Sequence, residues 1–125
     1  MVRPGAIGAT RGAMSAVGPH RPPAWDLLAQ AVIDRRTVRA AYHGHERLLC
    51  PHQLGWKNGR ARVLSYQAAG STSGGPLNAD HHQRWRWMFV DEIEDAAITD
   101  DRWQSAPNYR PGGTGIDVIE VAVGT

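Results

Sequence analysis

Arginine carries most of the positive charge in this sequence of 125 residues. Thirteen of the 14 basic residues are arginines, and Lys57 is the single lysine. Residues 1–89 hold 12 basic and 4 acidic side chains, a balance of +8, whereas residues 90–125 hold 2 basic and 8 acidic ones, a balance of −6. Because a guanidinium group presents a planar set of donors that fits phosphate and carboxylate, the first part is suited to attract an anion. The net charge of +2 does not indicate a protein that coats nucleic acid in bulk.

Arg62 and Tyr66 lie in a stretch that we predict to be a strand. Successive side chains of a strand alternate between its two faces, so these two share a face. A nucleic-acid base could stack on Tyr66, since such stacking contributes about 1 to 3 kcal/mol per base. The alternative is that Tyr66 is an ordinary core residue and Arg62 a surface one.

Histidines, serines and the lone cysteine offer little support for a metal centre or an enzyme. The candidate groups are His43-x-His45, Cys50-x-His52, Asp80-His81-His82, and Ser71 and Ser73 in the same loop as His81. Structural zinc sites usually take about four ligands with cysteine-rich spacing, which none of these groups provides. The serines and His81 have no regular element to orient them as a catalytic triad requires. We therefore expect no metal, no cofactor and no catalytic site.

Composition places the chain among globular proteins with one domain. Hydrophobic residues make up 42% and charged residues 21% of the sequence, which is an ordinary balance for such a protein. The single cysteine, Cys50, excludes an intramolecular disulfide framework and fits a reducing compartment, so we expect a cytoplasmic location. No apolar run approaches the roughly 18 to 20 residues of a membrane span, and we expect no membrane association.

The elements that must position these residues begin after a tail. Residues 1–23 are rich in Gly, Ala, Pro, Ser and Arg and contain no acidic residue, so we expect them to be mobile. Residues 24–125 then form a single domain. An amphipathic helix over about residues 24–36 is predicted by the apolar stripe Trp25, Leu28, Ala29, Val32 and Ile33.

Short strand patterns follow the helix at close spacing. We predict strands at residues 37–42, 47–56, 61–67, 84–90 and 93–98, and a last, irregular one at 116–123. Asn58-Gly59 favours a two-residue type I′ hairpin between the second and third strands, and residues 68–83 form a loop rich in Gly and Ser. One helix followed by about five antiparallel strands predicts a small β-barrel or a strongly bent sheet, with the helix across one opening.

Four short patterns occur in order over residues 24–98. They are Val38-Arg39-Ala40-Ala41-Tyr42, Glu46-Arg47 ahead of Pro51, Leu64-Ser65-Tyr66, and Arg86-Trp87-Met88-Phe89-Val90-Asp91-Glu92-Ile93. In this order and spacing they resemble the WYL domain, an Sm-like or SH3-like β-barrel found mainly in bacteria. Two positions depart from the family pattern: Ala61-Arg62-Val63 stands in place of the triplet Trp-Tyr-Leu, and Glu92 in place of an arginine.

The resemblance implies a mainly β fold, with a barrel of about five strands and one N-terminal helix, and a regulatory, ligand-sensing role. In that family the domain usually follows a winged-helix DNA-binding domain, for which we expect no room ahead of residue 24. This chain is then a stand-alone sensor of an anionic ligand, either a nucleotide or single-stranded nucleic acid. The ligand-binding residues that we predict, with the loop over residues 68–83 as a lid, are Arg86, Arg62, Tyr66, Arg47 and Gln67.

The register implied by the resemblance puts Arg86 on the inward face of its strand with Met88 and Val90, at the barrel mouth. The aromatic side chains that then lie outside, although periodicity alone assigns them to the core, are Trp85, Trp87 and Phe89. A contiguous exposed aromatic patch is typical of a protein interface. It implies a homodimer or a regulatory protein partner. The alternative function is accordingly a protein-interaction module without a ligand.

Overall fold

The computed structural model describes residues 21–111 and 115–124, which form one α-helix and seven strands. The helix α1 spans Trp25–Asp34, and the strands are β1 Thr37–Tyr42, β2 His45–Lys57, β3 Arg60–Thr72, β4 Gly75–Pro76, β5 Trp85–Phe89, β6 Ile93–Thr99 and β7 Val118–Ala122. Single 3-10 turns lie at His81–Gln83 and Val90–Glu92. The fold is mainly β with one helix, as predicted. None of the helices in these two ranges has the length and apolar character needed to cross a membrane.

All seven strands pair in an antiparallel way. Along the sheet the order is β4-β3-β2-β1-β6, while β5 pairs with the first half of β3 and β7 with the second half of β2. The predicted barrel of five strands is not confirmed, because the sheet does not close. Among the described strands β5 pairs only with β3 and β6 only with β1, and the 3-10 turn at Val90–Glu92 joins them instead of a ladder.

The hairpin between β2 and β3 has the predicted turn. Asn58 and Gly59 have φ angles of 52° and 77°, and both central residues of a type I′ turn need positive φ. Lys57 pairs with Arg60 on either side of the turn. Beyond the turn β3 continues to Thr72, so the first part of the predicted loop over residues 68–83 is strand.

The two faces of the sheet are covered by different parts of the chain. Helix α1 covers the inner face, where Leu28 packs among the apolar side chains of the strands and the rings of Trp25 and Trp56 stack 4.9 Å apart. Residues 103–109 cover the outer face, on which Cys50 and Tyr66 lie fully buried. Strand side chains that point inward therefore pack against helix α1, and those that point outward pack against residues 103–109.

Candidate anion-binding site

The register of β3 against β5 separates the predicted ligand residues into two groups. Directly opposed residues of an antiparallel pair point to the same side of the sheet. Ser65 lies opposite Arg86, two pairs along from the buried core pair of Val63 and Met88, so Arg86 points inward. The pairs that point outward are Arg62 with Phe89, Leu64 with Trp87, and Tyr66 with Trp85. The structure thus brings Arg86 together with Arg47 and Gln67, and separates it from Arg62 and Tyr66.

Arg47 is the most buried charged side chain of this group, with only 4% of its surface exposed. Its Nη1 donates to Gln67 Oε1 at 3.4 Å, and its Nη2 donates to the carbonyl of Tyr42 at 3.2 Å and to Ser73 Oγ at 3.5 Å. Its Nε has no hydrogen-bond partner in the described part of the chain. All of the acceptors that it does reach are neutral.

Gln67 and Ser65 complete the inward polar group, and both are fully buried. Gln67 Nε2 donates to the carbonyls of Ala69 and Ser71 at 3.1 and 3.0 Å, which turns Oε1 of the same amide towards Arg47. Ser65 Oγ, which lies opposite Arg86 in the ladder, has no partner among the described residues. A buried hydroxyl without a partner is costly, so Ser65 retains an unused capacity to donate a hydrogen bond.

Arg86 brings a second positive charge to the same end of the inner face. It is half-buried, and its Nη1 donates to the carbonyls of Gln83 and Trp85 at 2.9 and 3.0 Å. Burial lowers the pKa of the Arg86 guanidinium, and the charge of Arg84 lowers it further. Burial also lowers the pKa of Arg47, and the charge of Arg86 adds to that effect. The positive charge of Arg86 therefore disfavours the charged form of Arg47.

Arginines elsewhere in the described chain form ion pairs with carboxylates. Arg60 Nη2 lies 2.8 Å from one carboxylate oxygen of Asp91 while its Nε contacts the other at 3.1 Å, and Arg36 Nη2 lies 2.9 Å from Asp100. Within the described residues neither Arg47 nor Arg86 forms an ion pair. Two like charges that are partly removed from water, with no described carboxylate to neutralise them, are unfavourable, and an anion between them would lower that cost.

Sequence reasoning identified three members of this group and missed Ser65 and Ser73. A signal for Ser65 was present, since it shares a strand face with Val63 and Gln67. A serine and a glutamine that continue an inward apolar face must be buried, and buried polar side chains need partners. Ser73 carries no such signal, because it follows the end of β3 and reaches Arg47 only through the folded turn.

Arg62 binds the C-terminal part of the chain. Its Nη1 donates to the carbonyl of Gly115 at 2.9 Å, and its guanidinium lies over the rings of Trp87 and Phe89, at 5.1 and 5.5 Å from their centroids. Gly115 packs so tightly on Trp87 that a Cβ atom there would lie 2.4 Å from the ring. Arg62 is thus used to hold this segment on the outer face.

Tyr66 is fully buried on the outer face. Its ring meets that of Trp85 edge-on at 5.7 Å, and its hydroxyl lies 2.9 Å from Nδ1 of His81. The ring has no open face on which a base could stack.

The aromatic residues of β5 are half-buried under the chain's own segments. The ring of Trp85 stacks on Tyr109 at 5.5 Å, and Arg60 lies 3.7 Å above Phe89. In the described ranges the large apolar side chains that are predominantly exposed are Ile33, at 64%, and Val118, at 56%. The outer face therefore offers a partner less apolar surface than β5 alone would present.

The histidines are dispersed over the described part of the chain. No group of three or more His, Cys, Asp or Glu side chains there is placed to hold a metal ion. His43 pairs with Glu92 at 2.6 Å and His82 with Asp80 at 3.1 Å, whereas His52 is fully buried. Burial raises the pKa of the neighbouring Cys50 thiol to about 11, which keeps it protonated and unreactive at neutral pH.

The geometry of the site is the guide to function, because comparison with known proteins found no match. The chain matches no model of a protein family, no curated protein and no solved structure.

Proposed function

We propose that this protein is a regulatory, ligand-sensing module of the WYL type, which binds the phosphate of a nucleotide between Arg47 and Arg86. Five of its strands, β1, β2, β3, β5 and β6, follow one helix in the order that the resemblance implies, and we interpret them as an incompletely closed Sm-like barrel. The protein senses its ligand in the cytoplasm and transmits binding through a protein partner.

The observation that carries the proposal is the environment of Arg47. Its guanidinium is almost completely buried, has one N–H without a partner in the described chain, and meets only neutral acceptors. An ordinary structural arginine at this depth is paired with a carboxylate. A phosphate satisfies both the missing charge and the missing acceptor.

Phosphate fits the group better than a carboxylate does. Arg47 and Arg86 supply two positive charges, and Ser65 supplies a hydroxyl donor from the strand between them. A terminal phosphate carries close to two negative charges near neutral pH and offers three acceptor oxygens, so it can engage all three groups at once.

Isothermal titration of the full chain with thymidine 5′-monophosphate, thymidine and a short oligothymidylate tests the proposal. We expect the monophosphate to bind at least about tenfold more tightly than thymidine, because charge-assisted hydrogen bonds contribute most of the affinity. Its affinity should fall as salt rises. Equal affinity for thymidine and its monophosphate would refute the proposal. An oligothymidylate that binds more tightly, with a steep salt slope, would identify single-stranded nucleic acid as the ligand.

The alternative, a protein-interaction module centred on Trp85, Trp87 and Phe89, has weaker support. Tyr109, Gly115 and Arg60 already occupy much of the surface that these rings would give a partner.

A further inference from the structure

Arg86 does not reach its position alone, because a turn in the preceding loop holds its side chain. The carbonyl of Gln83 accepts from Arg86 Nη1 at 2.9 Å. Gln83 ends the 3-10 turn His81–Gln83, whose backbone is fixed by the bond from Gln83 N to the carbonyl of Asp80 at 3.0 Å. The side chain of Asp80 accepts from His82 N at 3.0 Å and caps the turn. The place of this turn therefore sets the direction of the Arg86 guanidinium.

Tyr66 fixes the same turn from the opposite side of the sheet. Its ring is fully buried on the outer face, yet its hydroxyl lies 2.9 Å from Nδ1 of His81, the first residue of the turn. One residue further along β3, Gln67 N donates to the carbonyl of Arg84 at 2.9 Å, which ties the other end of the turn to the same strand. The turn is thus held at both ends by neighbouring residues of β3.

We propose that Tyr66 is a positioning residue for the anion site: its hydroxyl holds His81, and through the Gln83 carbonyl it directs Arg86 towards the ligand. This inference rests on the proposed function. Tyr66 points to the outer face and Arg86 to the inner one, so the contribution of Tyr66 is to the place of the turn and not to contact with phosphate.

Replacing Tyr66 with phenylalanine removes the hydroxyl and keeps the buried ring. We expect Tyr66→Phe to raise the Kd for thymidine 5′-monophosphate about fivefold, the usual effect of losing one hydrogen bond. Tyr109→Phe is the matched control, because that hydroxyl is also part-buried and donates to the carbonyl of Val123 at 2.8 Å, away from the turn. Tyr109→Phe should leave the Kd unchanged.

A double-mutant cycle separates positioning from a general loss of structure. In an Arg86→Gln background Tyr66→Phe should cause no further loss of affinity, because the side chain that it positions is gone. An unchanged Kd in Tyr66→Phe, or the same fivefold loss in both backgrounds, would overturn the inference. If Arg86→Gln itself binds as tightly as the wild type, the proposed function fails. If Arg86→Gln weakens binding and Tyr66→Phe does not, only the positioning role fails.

Discussion

Arg47→Met is expected to raise the Kd for thymidine 5′-monophosphate about 30-fold, since a hydrogen bond to a charged group contributes about 1.5 to 3 kcal/mol. The same change should leave the free energy of unfolding without ligand within about 1 kcal/mol of the wild-type value, or above it. Methionine fills similar space and removes a buried charge that no described carboxylate neutralises. The lost bond to the Tyr42 carbonyl opposes that gain.

A loss of binding without a loss of stability distinguishes a functional arginine from a structural one. Arg39→Met is the matched control, because Arg39 lies in β1 with an exposed side chain and the change removes the same charge. Calorimetric titration and urea unfolding of both variants check the prediction. A loss of several kcal/mol in the stability of Arg47→Met, with unchanged phosphate affinity, would show that Arg47 serves the fold alone.

The free energy of unfolding should fall by about 2 kcal/mol between pH 7 and pH 5 through His52 alone. His52 is fully buried between the rings of Trp85 and Trp103, and burial lowers its pKa to about 4. Its Nδ1 donates to the carbonyl of Cys50 at 2.7 Å, so the unprotonated Nε2 accepts from Ser105 Oγ at 2.9 Å. Protonation of Nε2 would reverse the second bond, so that Ser105 Oγ would have to accept, and would place an unneutralised charge among the rings.

Stability falls with falling pH because the pKa of His52 is lower in the folded chain than in the unfolded one. The unfolded chain binds a proton near the ordinary value of 6.5 and the folded chain only near 4, so acid favours unfolding between these values. Above pH 6.5 the full stability is present. Urea unfolding at pH 7 and pH 5 measures the change in the free energy of unfolding. In His52→Phe, which has no titrating ring, most of this change should disappear. Should that variant fail to fold, NMR titration of the wild-type His52 ring replaces it; a pKa near 6.5 there contradicts the account.

Most of the fold could be predicted from local patterns. The helix stripe beginning at Trp25 and the Asn58-Gly59 turn each depend on residues close in the chain, and the structure has both. Closure of the barrel depends on whether β5 and β6 pair with each other, and no local sequence pattern indicates this pairing. The two-residue strand β4 was missed because Gly75-Pro76 has no strand propensity and pairs only through the end of β3.

The site was only partly predictable, because the face on which a side chain lies depends on ladder register. Arg62 and Arg86 are chemically alike, yet their ladder pairs lie three steps apart, and this odd number of steps places the two side chains on opposite faces. Tyr66 had the right residue type for base stacking, but residues 103–109 cover its face, and no pattern near Tyr66 indicates that cover. That no carboxylate of the described residues forms an ion pair with Arg47 is likewise visible only in three dimensions.

In the function that we propose, Arg47 and Arg86 together hold the phosphate of a ligand on the inner face. NMR of the arginine Nε–Hε groups, recorded as the full chain is titrated with thymidine 5′-monophosphate, tests it most directly. We expect the signals of Arg47 and Arg86 to move together and to saturate at one Kd, while those of Arg39 and Arg62 stay in place. Movement of the Arg62 signal with Arg47 and Arg86 unchanged would contradict it.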